Sequence, residues 1–172
     1  MTKEELQQRV LELEDRYYHD ELTGLQNRYA MSKHLLSYKN PKMLLIDINK
    51  FSLINNIYGG KVGDKVLIKV ASILTTFTQL GCVLYRTSSD QFVLIKENKD
   101  TNESCSNMAQ NILNIINYKP LVIKIDEVDV DINIAATIAI VANEDAGKLL
   151  GYADMTLRYA KKTYQPFVIY SR

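Results

Sequence analysis

The hydrophobic positions of this chain recur at helical spacing in some stretches and form short continuous runs, typical of buried strands, in others. Along residues 2–18 the apolar side chains stand three or four positions apart, at Leu6, Val10, Leu13 and Tyr17. This spacing predicts an amphipathic helix with a short coiled-coil seam. Because two such turns are marginal alone, we expect the helix to pack on its own domain, on a second copy or on adjoining protein.

The rest of the chain alternates short apolar runs with amphipathic stretches. Helices are predicted at 28–38, 51–57, 64–77, 101–117 and 146–162. Strands are predicted at 43–48, 83–86, 91–95, 121–125, 128–142 and 167–170, with a loop at 58–63 and a turn at Asp126-Glu127. The order predicts an α/β (α+β) sandwich, ferredoxin-like, in which helices pack on a mixed, mostly antiparallel sheet. We expect residues 1–18 to form a linker helix and residues 19–172 a single domain.

Composition narrows the class of protein. The 172 residues include 21 basic and 20 acidic side chains, a net charge of +1, so the chain lacks the positive field of a general nucleic-acid binder. Cys82 and Cys105 are too few and too far apart for a disulfide scaffold or a CxxC metal site, and we expect both to be reduced and packed. Since no apolar run approaches the roughly 20 residues that cross a bilayer, we expect a cytoplasmic domain without membrane contact.

Four segments, in order, carry a resemblance to a known family. Residues 20–28 read Asp-Glu-Leu-Thr-Gly-Leu-Gln-Asn-Arg, and residues 47–64 begin Asp-Ile-Asn-Lys-Phe and end Gly-Asp. Residues 86–92 read Arg-Thr-Ser-Ser-Asp-Gln-Phe, and residues 153–161 run from Ala-Asp to Ala-Lys. Together they resemble the GGDEF domain family of diguanylate cyclases over residues 18–170. The resemblance implies a nucleotidyl-cyclase-like fold and a role in bacterial cyclic-di-GMP signalling.

The reaction of that family suggests what a site here would hold. Two GTP molecules, one on each of two facing domains, are condensed into cyclic di-GMP, and phosphoryl transfer of this kind uses divalent metal to neutralise phosphate charge. The resemblance implies that Mg²⁺ (or Mn²⁺) is bound by Asp47, the Ile48 carbonyl and Asp90. Judged from the residues alone, Asp47 is also a candidate helix N-cap and Asp90 a candidate turn residue.

The resemblance also implies a set of nucleotide-binding residues. Asn55 and Asp64 match the family's guanine-reading pair, and Lys161 matches a phosphate-binding lysine. The backbone N–H groups of Lys50 and Phe51 open a helix and could cradle phosphates. Each side chain also has a structural alternative: a helix-end Asn, a helix N-cap and an exposed helix-end Lys.

Several positions depart from the family pattern. Ser88 and Ser89 replace the two glycines beneath the nucleotide, where we expect a strained positive φ and a crowded ligand. Gln91 replaces the next carboxylate and cannot act as a base. Further replacements are Ser52, Asn49, Gly60 and Gln165, and the stretch Gln79–Cys82 lacks both charges of the R-x-x-D product-inhibition motif. We therefore expect no cyclic-di-GMP feedback at that stretch.

These observations lead to one preferred function and two alternatives. We expect a degenerate, catalytically weak domain that binds GTP with Mg²⁺ and regulates an attached signalling domain, such as an EAL phosphodiesterase. The alternatives are an active diguanylate cyclase and a nucleotide-free module that dimerises through residues 2–18. Asp20 and Arg28 flank the first motif and are expected to form a structural ion pair or cap.

Overall fold

The computed structural model describes residues 1–97, 102–142 and 145–170. Its helices are α1 (Lys3–Tyr18), α2 (Arg28–Leu35), α3 (Phe51–Tyr58), α4 (Gly60–Thr75), α5 (Asn102–Ile116) and α6 (Ala146–Lys162). Its strands are β1 (Gln26–Asn27), β2 (Lys42–Ile48), β3 (Val83–Arg86), β4 (Gln91–Lys96), β5 (Leu121–Ile125), β6 (Val128–Ile132), β7 (Ala136–Ala142) and β8 (Phe167–Ile169). The predicted helix start at Thr101 lies outside the described residues.

Six strands form one mixed sheet in the order β1-β3-β4-β2-β7-β8. The central strand β2 runs antiparallel to β4 on one side and to β7 on the other, whereas the outer pairs β1–β3 and β7–β8 are parallel. All seven residues of β2 are buried, because helices cover both faces of the sheet. The predicted α/β sandwich with a mixed, mostly antiparallel sheet is confirmed.

Alternate residues of β2 enter two separate cores. Leu44, Ile46 and Ile48 join a core that also contains residues of α3, α4 and α5. Met43 and Leu45 join a second core with residues of α2 and α6. Successive side chains of a strand point to opposite faces of the sheet, so an odd-numbered residue of β2 belongs to the face that α2 and α6 cover.

The junction between α3 and α4 differs from the prediction, since the loop expected over 58–63 does not form. Helix α4 begins at Gly60, and Gly59 alone separates it from α3. Gly59 has a φ of 87°, which glycine adopts at little cost, so one residue is enough to turn the chain between two helices. Asp64 therefore lies inside α4, and its predicted role as a helix N-cap is wrong.

The strand predicted over 128–142 is two strands. β6 pairs with β5 in a separate two-stranded ribbon, whereas β7 lies in the main sheet. Asp126 and Glu127 form the predicted turn with φ values of 46° and 66°, the left-handed conformation of tight hairpins. The Asn117 side chain accepts from the Ala136 N–H at 2.8 Å and donates to its carbonyl at 3.2 Å, which defines where β7 begins.

Helix α1 is anchored to the domain at its last turn. It begins with a capping box between Thr2 and Glu5, which satisfies free N–H groups at its start. None of its residues is buried. The Tyr17 ring stacks on Tyr29 of α2 with 5.0 Å between centroids. Of the predicted apolar seam, Tyr17 thus packs on its own domain, whereas Leu6, Val10 and Leu13 are each about half exposed. For these three residues a second copy or adjoining protein stays the prediction.

Two expectations from composition can be compared with the fold. In the part of the chain that the structure describes, no helix has the length and apolar character needed to cross a membrane. Cys82 and Cys105 are both buried, as the predicted packing role requires. The Cys82 thiol lies 3.8 Å from the Met108 sulfur of α5, so it serves as packing.

Candidate functional site

The end of β2 and the start of β4 bring the predicted metal ligands together. Asp47 is paired with Gln91 in the antiparallel register. The Ile48 N–H donates to the Asp90 carbonyl at 3.0 Å, because the two strands continue their pairing into the loop before β4. Asp47, Ile48 and Asp90 are therefore neighbours at one corner of the sheet, although more than 40 positions of chain separate the first from the last.

Both carboxylate oxygens of Asp47 accept hydrogen bonds from side chains of this domain. The Lys161 ammonium lies 2.5 Å from Oδ1, and the Gln91 amide donates to Oδ2 at 3.1 Å. The side chain of Asp47 is 8% exposed and that of Lys161 is 42% exposed. Asp47 faces α6 because it is an odd-numbered residue of β2. The N-cap alternative for Asp47 is wrong, since the N-cap of α3 is Lys50.

These contacts bear on whether the corner suits a divalent cation. Across residues 1–97, 102–142 and 145–170, no group of three or more His, Cys, Asp or Glu side chains could hold a metal ion. Mg²⁺ prefers carboxylate and carbonyl oxygens in octahedral geometry, but Asp47 is already held by an ammonium and an amide. The arrangement fits an internally neutralised carboxylate rather than a metal centre, and the metal role of Asp47, Ile48 and Asp90 stays a prediction.

A cleft of about 570 Å³ opens beside this corner, between the start of α3, the start of β7 and the end of α6. It is lined by Asn49, Lys50, Asn117, Tyr118, Ala136, Thr137, Ala160, Lys161, Tyr164, Gln165 and Pro166. Two of these residues are lysines and none is acidic. The cleft therefore presents positive charge together with amide, hydroxyl and aromatic groups.

Sequence reasoning missed part of this lining. Thr137 is buried, and its hydroxyl donates to the Asn49 side chain at 3.0 Å. Asn117 fixes the start of β7, and the exposed rings of Tyr118 and Tyr164 stand at the rim. These residues come together because β7 pairs with β2. A pairing of two distant segments leaves no signal in a local sequence pattern.

The predicted phosphate cradle lies at the start of α3. Lys50 has φ 54° and ψ 36°, a left-handed conformation that costs a residue with a side chain on the order of 1 kcal/mol. This conformation turns the chain from the end of β2 directly into α3. The first N–H groups of a helix have no partner within the helix. Lys50 lines the cleft while Phe51 is buried, and the cradle role of their amides stays a prediction.

Asn55 and Asp64 lie on either side of the contact between α3 and α4. A Cβ on Gly63 would come within 1.8 Å of Asn55 Oδ1, so glycine at this position is what lets the Asn55 side chain lie between the helices. Within the described residues Asn55 Oδ1 is buried and has no hydrogen-bond partner, whereas Asp64, the next residue after Gly63, is exposed. Asn55 and Asp64 thus lie on the neighbouring helices α3 and α4, and their guanine role stays a prediction.

The loop before β4 does not show the strain expected from its two serines. The described residues with positive φ do not include Ser88 or Ser89, so the prediction of a left-handed serine is wrong. The reason is that the loop is held in another conformation: Arg86 Nη2 donates to the Ser89 carbonyl at 2.8 Å, and the Ser89 hydroxyl donates to Asp90 Oδ1 at 3.0 Å. Both serines are exposed.

Asp20 forms a salt bridge with Arg86, at 2.8 Å between Oδ1 and Nη1. The ion pair expected with Arg28 is therefore wrong in its partner, because β1 lies beside β3 and brings the first motif next to the loop before β4. Asp20 also accepts from the N–H and hydroxyl of Thr23. Burial raises the pKa of Asp20, but the bonds from Thr23 and Arg86 outweigh it and lower that pKa overall.

The remaining departures from the family pattern lie in different surroundings. Ser52 is exposed on α3, and Gly60 is the first residue of α4. Gln165 lines the cleft. At Gln79–Cys82, the stretch that corresponds to the R-x-x-D motif, a 3-10 turn (Thr76–Leu80) leads into Gly81, and Cys82 is buried. That stretch presents neither of the two charges of the R-x-x-D motif.

Comparison with known sequences identifies relatives. The sequence family described as diguanylate cyclase, GGDEF domain, matches residues 17–165. The uncharacterized protein y4lL of Sinorhizobium fredii is 29% identical over 150 residues, which cover 83% of this chain and 18% of that protein. The diguanylate cyclase DgcP of Escherichia coli is 35% identical over 103 residues, 55% of this chain and 30% of that protein. This chain thus spans less than a third of either relative.

A solved structure shares the fold. The coiled coil and GGDEF domain of DgcB from Caulobacter crescentus, solved in complex with c-di-GMP, superposes with a TM-score of 0.85 at 18% identity. The match covers 97% of this chain and 93% of that chain. At this identity the likeness shows the fold, a mixed sheet covered by helices on both faces and preceded by a projecting helix.

Proposed function

The chain belongs to the GGDEF family of diguanylate cyclases, which act in cyclic-di-GMP signalling, and from this premise we propose that it binds a guanine nucleotide while being a weak cyclase. One contact carries the proposal: the Gln91 amide donates to Asp47 Oδ2 at the position where the family pattern has a carboxylate. An uncharged donor now stands where an anionic acceptor is expected.

The chemistry of cyclisation explains why this replacement matters. The 3′ hydroxyl of one GTP must lose its proton as it attacks the α-phosphorus of the other and diphosphate leaves, and an amide cannot accept that proton at neutral pH. Loss of a positioned acid or base costs about 10²–10⁴ in rate. Ser52, exposed at a lysine position of the family, supplies no cation to the developing charge. Both departures lower turnover without excluding nucleotide binding.

Asn55 supports guanine recognition. Its Oδ1 is buried between α3 and α4 without a partner among the described residues, and leaving a buried acceptor unpaired costs about 1–3 kcal/mol. The edge of guanine carries N–H donors, which can supply the missing bond once the Asn55 side chain turns away from Gly63, the residue that its Oδ1 faces. The exposed Asp64 carboxylate, one residue beyond Gly63, can accept further N–H groups.

Calorimetry and product chromatography test this proposal together. GTP titrated into the protein, with Mg²⁺ in one arm because the family's cyclases use divalent metal ions, should release heat, while cyclic di-GMP should form only slowly, over prolonged incubation. Asn55→Ala should weaken binding about tenfold. Asn56→Ala, at the exposed next position of α3, is the matched control and should leave binding unchanged. Rapid product formation, or no heat at high GTP, overturns the proposal.

In the cell we propose a regulatory role. GTP occupancy would favour one conformation of the domain and so bias an attached signalling domain, with an EAL phosphodiesterase as the predicted neighbour and the cytoplasm as the predicted location. Because this chain spans less than a third of its relatives, the test is to join it to its flanking sequence and measure that neighbour's activity with and without GTP. Equal activity in both conditions would contradict a regulatory role.

Helix α1 favours a second candidate function, dimerisation without nucleotide. Leu6, Val10 and Leu13 are each about half exposed on a helix with no buried residue. Such an exposed apolar seam is expected of one helix of a coiled coil that lacks its partner helix. Sedimentation of the whole chain and of residues 17–172 tests it. Self-association that is lost on truncation, with a melting temperature indifferent to GTP, would favour this function over the first.

A further inference from the structure

Resting on the proposed nucleotide function, we infer that the cleft binds the phosphate groups of its ligand directly through Lys50 and Lys161, without a divalent cation. In this site an ammonium group of the chain supplies the positive charge that a metal ion would otherwise bring to Asp47.

The state of Asp47 is the first step. Its carboxylate is buried, and its two oxygens are held by Lys161 at 2.5 Å and by Gln91 at 3.1 Å. A divalent cation at Asp47 would have to displace an ammonium from one oxygen and an amide donor from the other. The charges of Asp47, Asp90, Lys50 and Lys161 sum to zero, which leaves little attraction for a hard cation that dehydrates reluctantly.

The identity of residue 91 is the second step. A carboxylate beside Asp47 would repel it and would call for a cation between the two. The Gln91 amide removes that repulsion and adds a hydrogen bond instead. Both oxygens of Asp47 therefore have partners within the domain, and no unpaired negative charge at Asp47 is left for a metal to neutralise.

The lining of the cleft is the third step. Lys50 and Lys161 line it together with amides, hydroxyls and two tyrosine rings, and no acidic side chain is among the lining residues. An ammonium has three N–H donors, so Lys161 can keep one bond to Asp47 and offer the others to a phosphate oxygen. Charge-assisted bonds of this kind are roughly twice as strong as neutral ones. The chemistry selects a polyphosphate anion.

Calorimetric titration of the whole chain separates the possible outcomes. GTP is titrated once in EDTA and once in Mg²⁺, and inorganic tripolyphosphate is titrated in EDTA. We expect the GTP affinities to agree within about threefold and tripolyphosphate to bind. GTP binding that requires Mg²⁺ overturns this inference and leaves the proposed function standing. Absence of GTP binding in both conditions overturns both.

Two variants sharpen the test. Gln91→Glu should make binding metal-dependent, with affinity in EDTA reduced about tenfold and regained in Mg²⁺; equal binding in EDTA would contradict the inference. Lys161→Met should weaken tripolyphosphate binding about tenfold in EDTA. Lys162→Met, an exposed neighbour on α6 outside the cleft lining, is the matched control. If both lysine variants bind equally, Lys161 does not contact the phosphate.

Discussion

Among the residues that the structure describes, the pairs of Asp20 with Arg86 and of Asp47 with Lys161 join distant parts of the chain, and they differ in which partner is buried. In the pair of Asp20 with Arg86, the arginine side chain is 9% exposed and the carboxylate 24%. In the pair of Asp47 with Lys161, the carboxylate is 8% exposed and the ammonium 42%. The first pair hides its cation inside the fold, whereas the second presents its cation to a cleft.

The donors of the two cations explain what each pair can do. Arg86 uses Nη1 on Asp20 and Nη2 on the Ser89 carbonyl, so its planar group is committed to holding the first motif against the loop before β4. Lys161 has a flexible stem and donors beyond the one on Asp47. We conclude that the first pair stabilises the fold and that the second is suited to hold a ligand.

Removing Asp20 should have the largest effect on stability. Asp20→Ala leaves the buried Arg86 guanidinium without its counter-charge and frees the donors of Thr23, so we expect a loss of about 2–3 kcal/mol in the free energy of unfolding. Urea denaturation measures it. Glu21→Ala, at the exposed neighbouring position, is the matched control. Equal losses in the two variants would show that the Asp20–Arg86 pair has no special role.

A carboxylate at position 91 should have an intermediate effect. Gln91→Glu places two negative charges side by side and removes a hydrogen bond to Asp47, so we expect a loss of about 1–2 kcal/mol in EDTA. Thermal unfolding of this variant is compared with that of Gln79→Glu, which adds the same charge at an exposed position. An unchanged melting temperature would mean that the amide contributes nothing to the Asp47 corner.

Acid should produce the smallest effect, and it is expected at the pair of Asp20 with Arg86. The pKa of Asp20 is lowered by folding, so its stabilising contribution is complete above the unfolded pKa of about 3.9 and is lost as the pH falls through the lower folded value. The urea midpoint of the parent minus that of Asp20→Asn should therefore be constant from about pH 7 to 5 and shrink below about pH 4. A difference that does not shrink as the pH falls below about 4 would contradict this.

Much of this protein follows from local pattern. The short apolar run of β2 and the amphipathic period of α6 are properties of contiguous residues, and both elements lie where predicted. The motifs that carry the family resemblance are likewise contiguous, and they predicted Asp47 and Asp90 to belong to one site. Such features depend on backbone geometry and side-chain period, which a short segment determines by itself.

The tertiary structure decided which groups meet. Arg86 rather than Arg28 pairs with Asp20, and Lys161, 114 positions from Asp47, neutralises it. Ser88 and Ser89 avoid the predicted strain because an arginine from the preceding strand holds their loop. These outcomes depend on strand order and on the burial that follows from it. They are set by packing between remote segments, since the energy of a buried charge depends on every group around it.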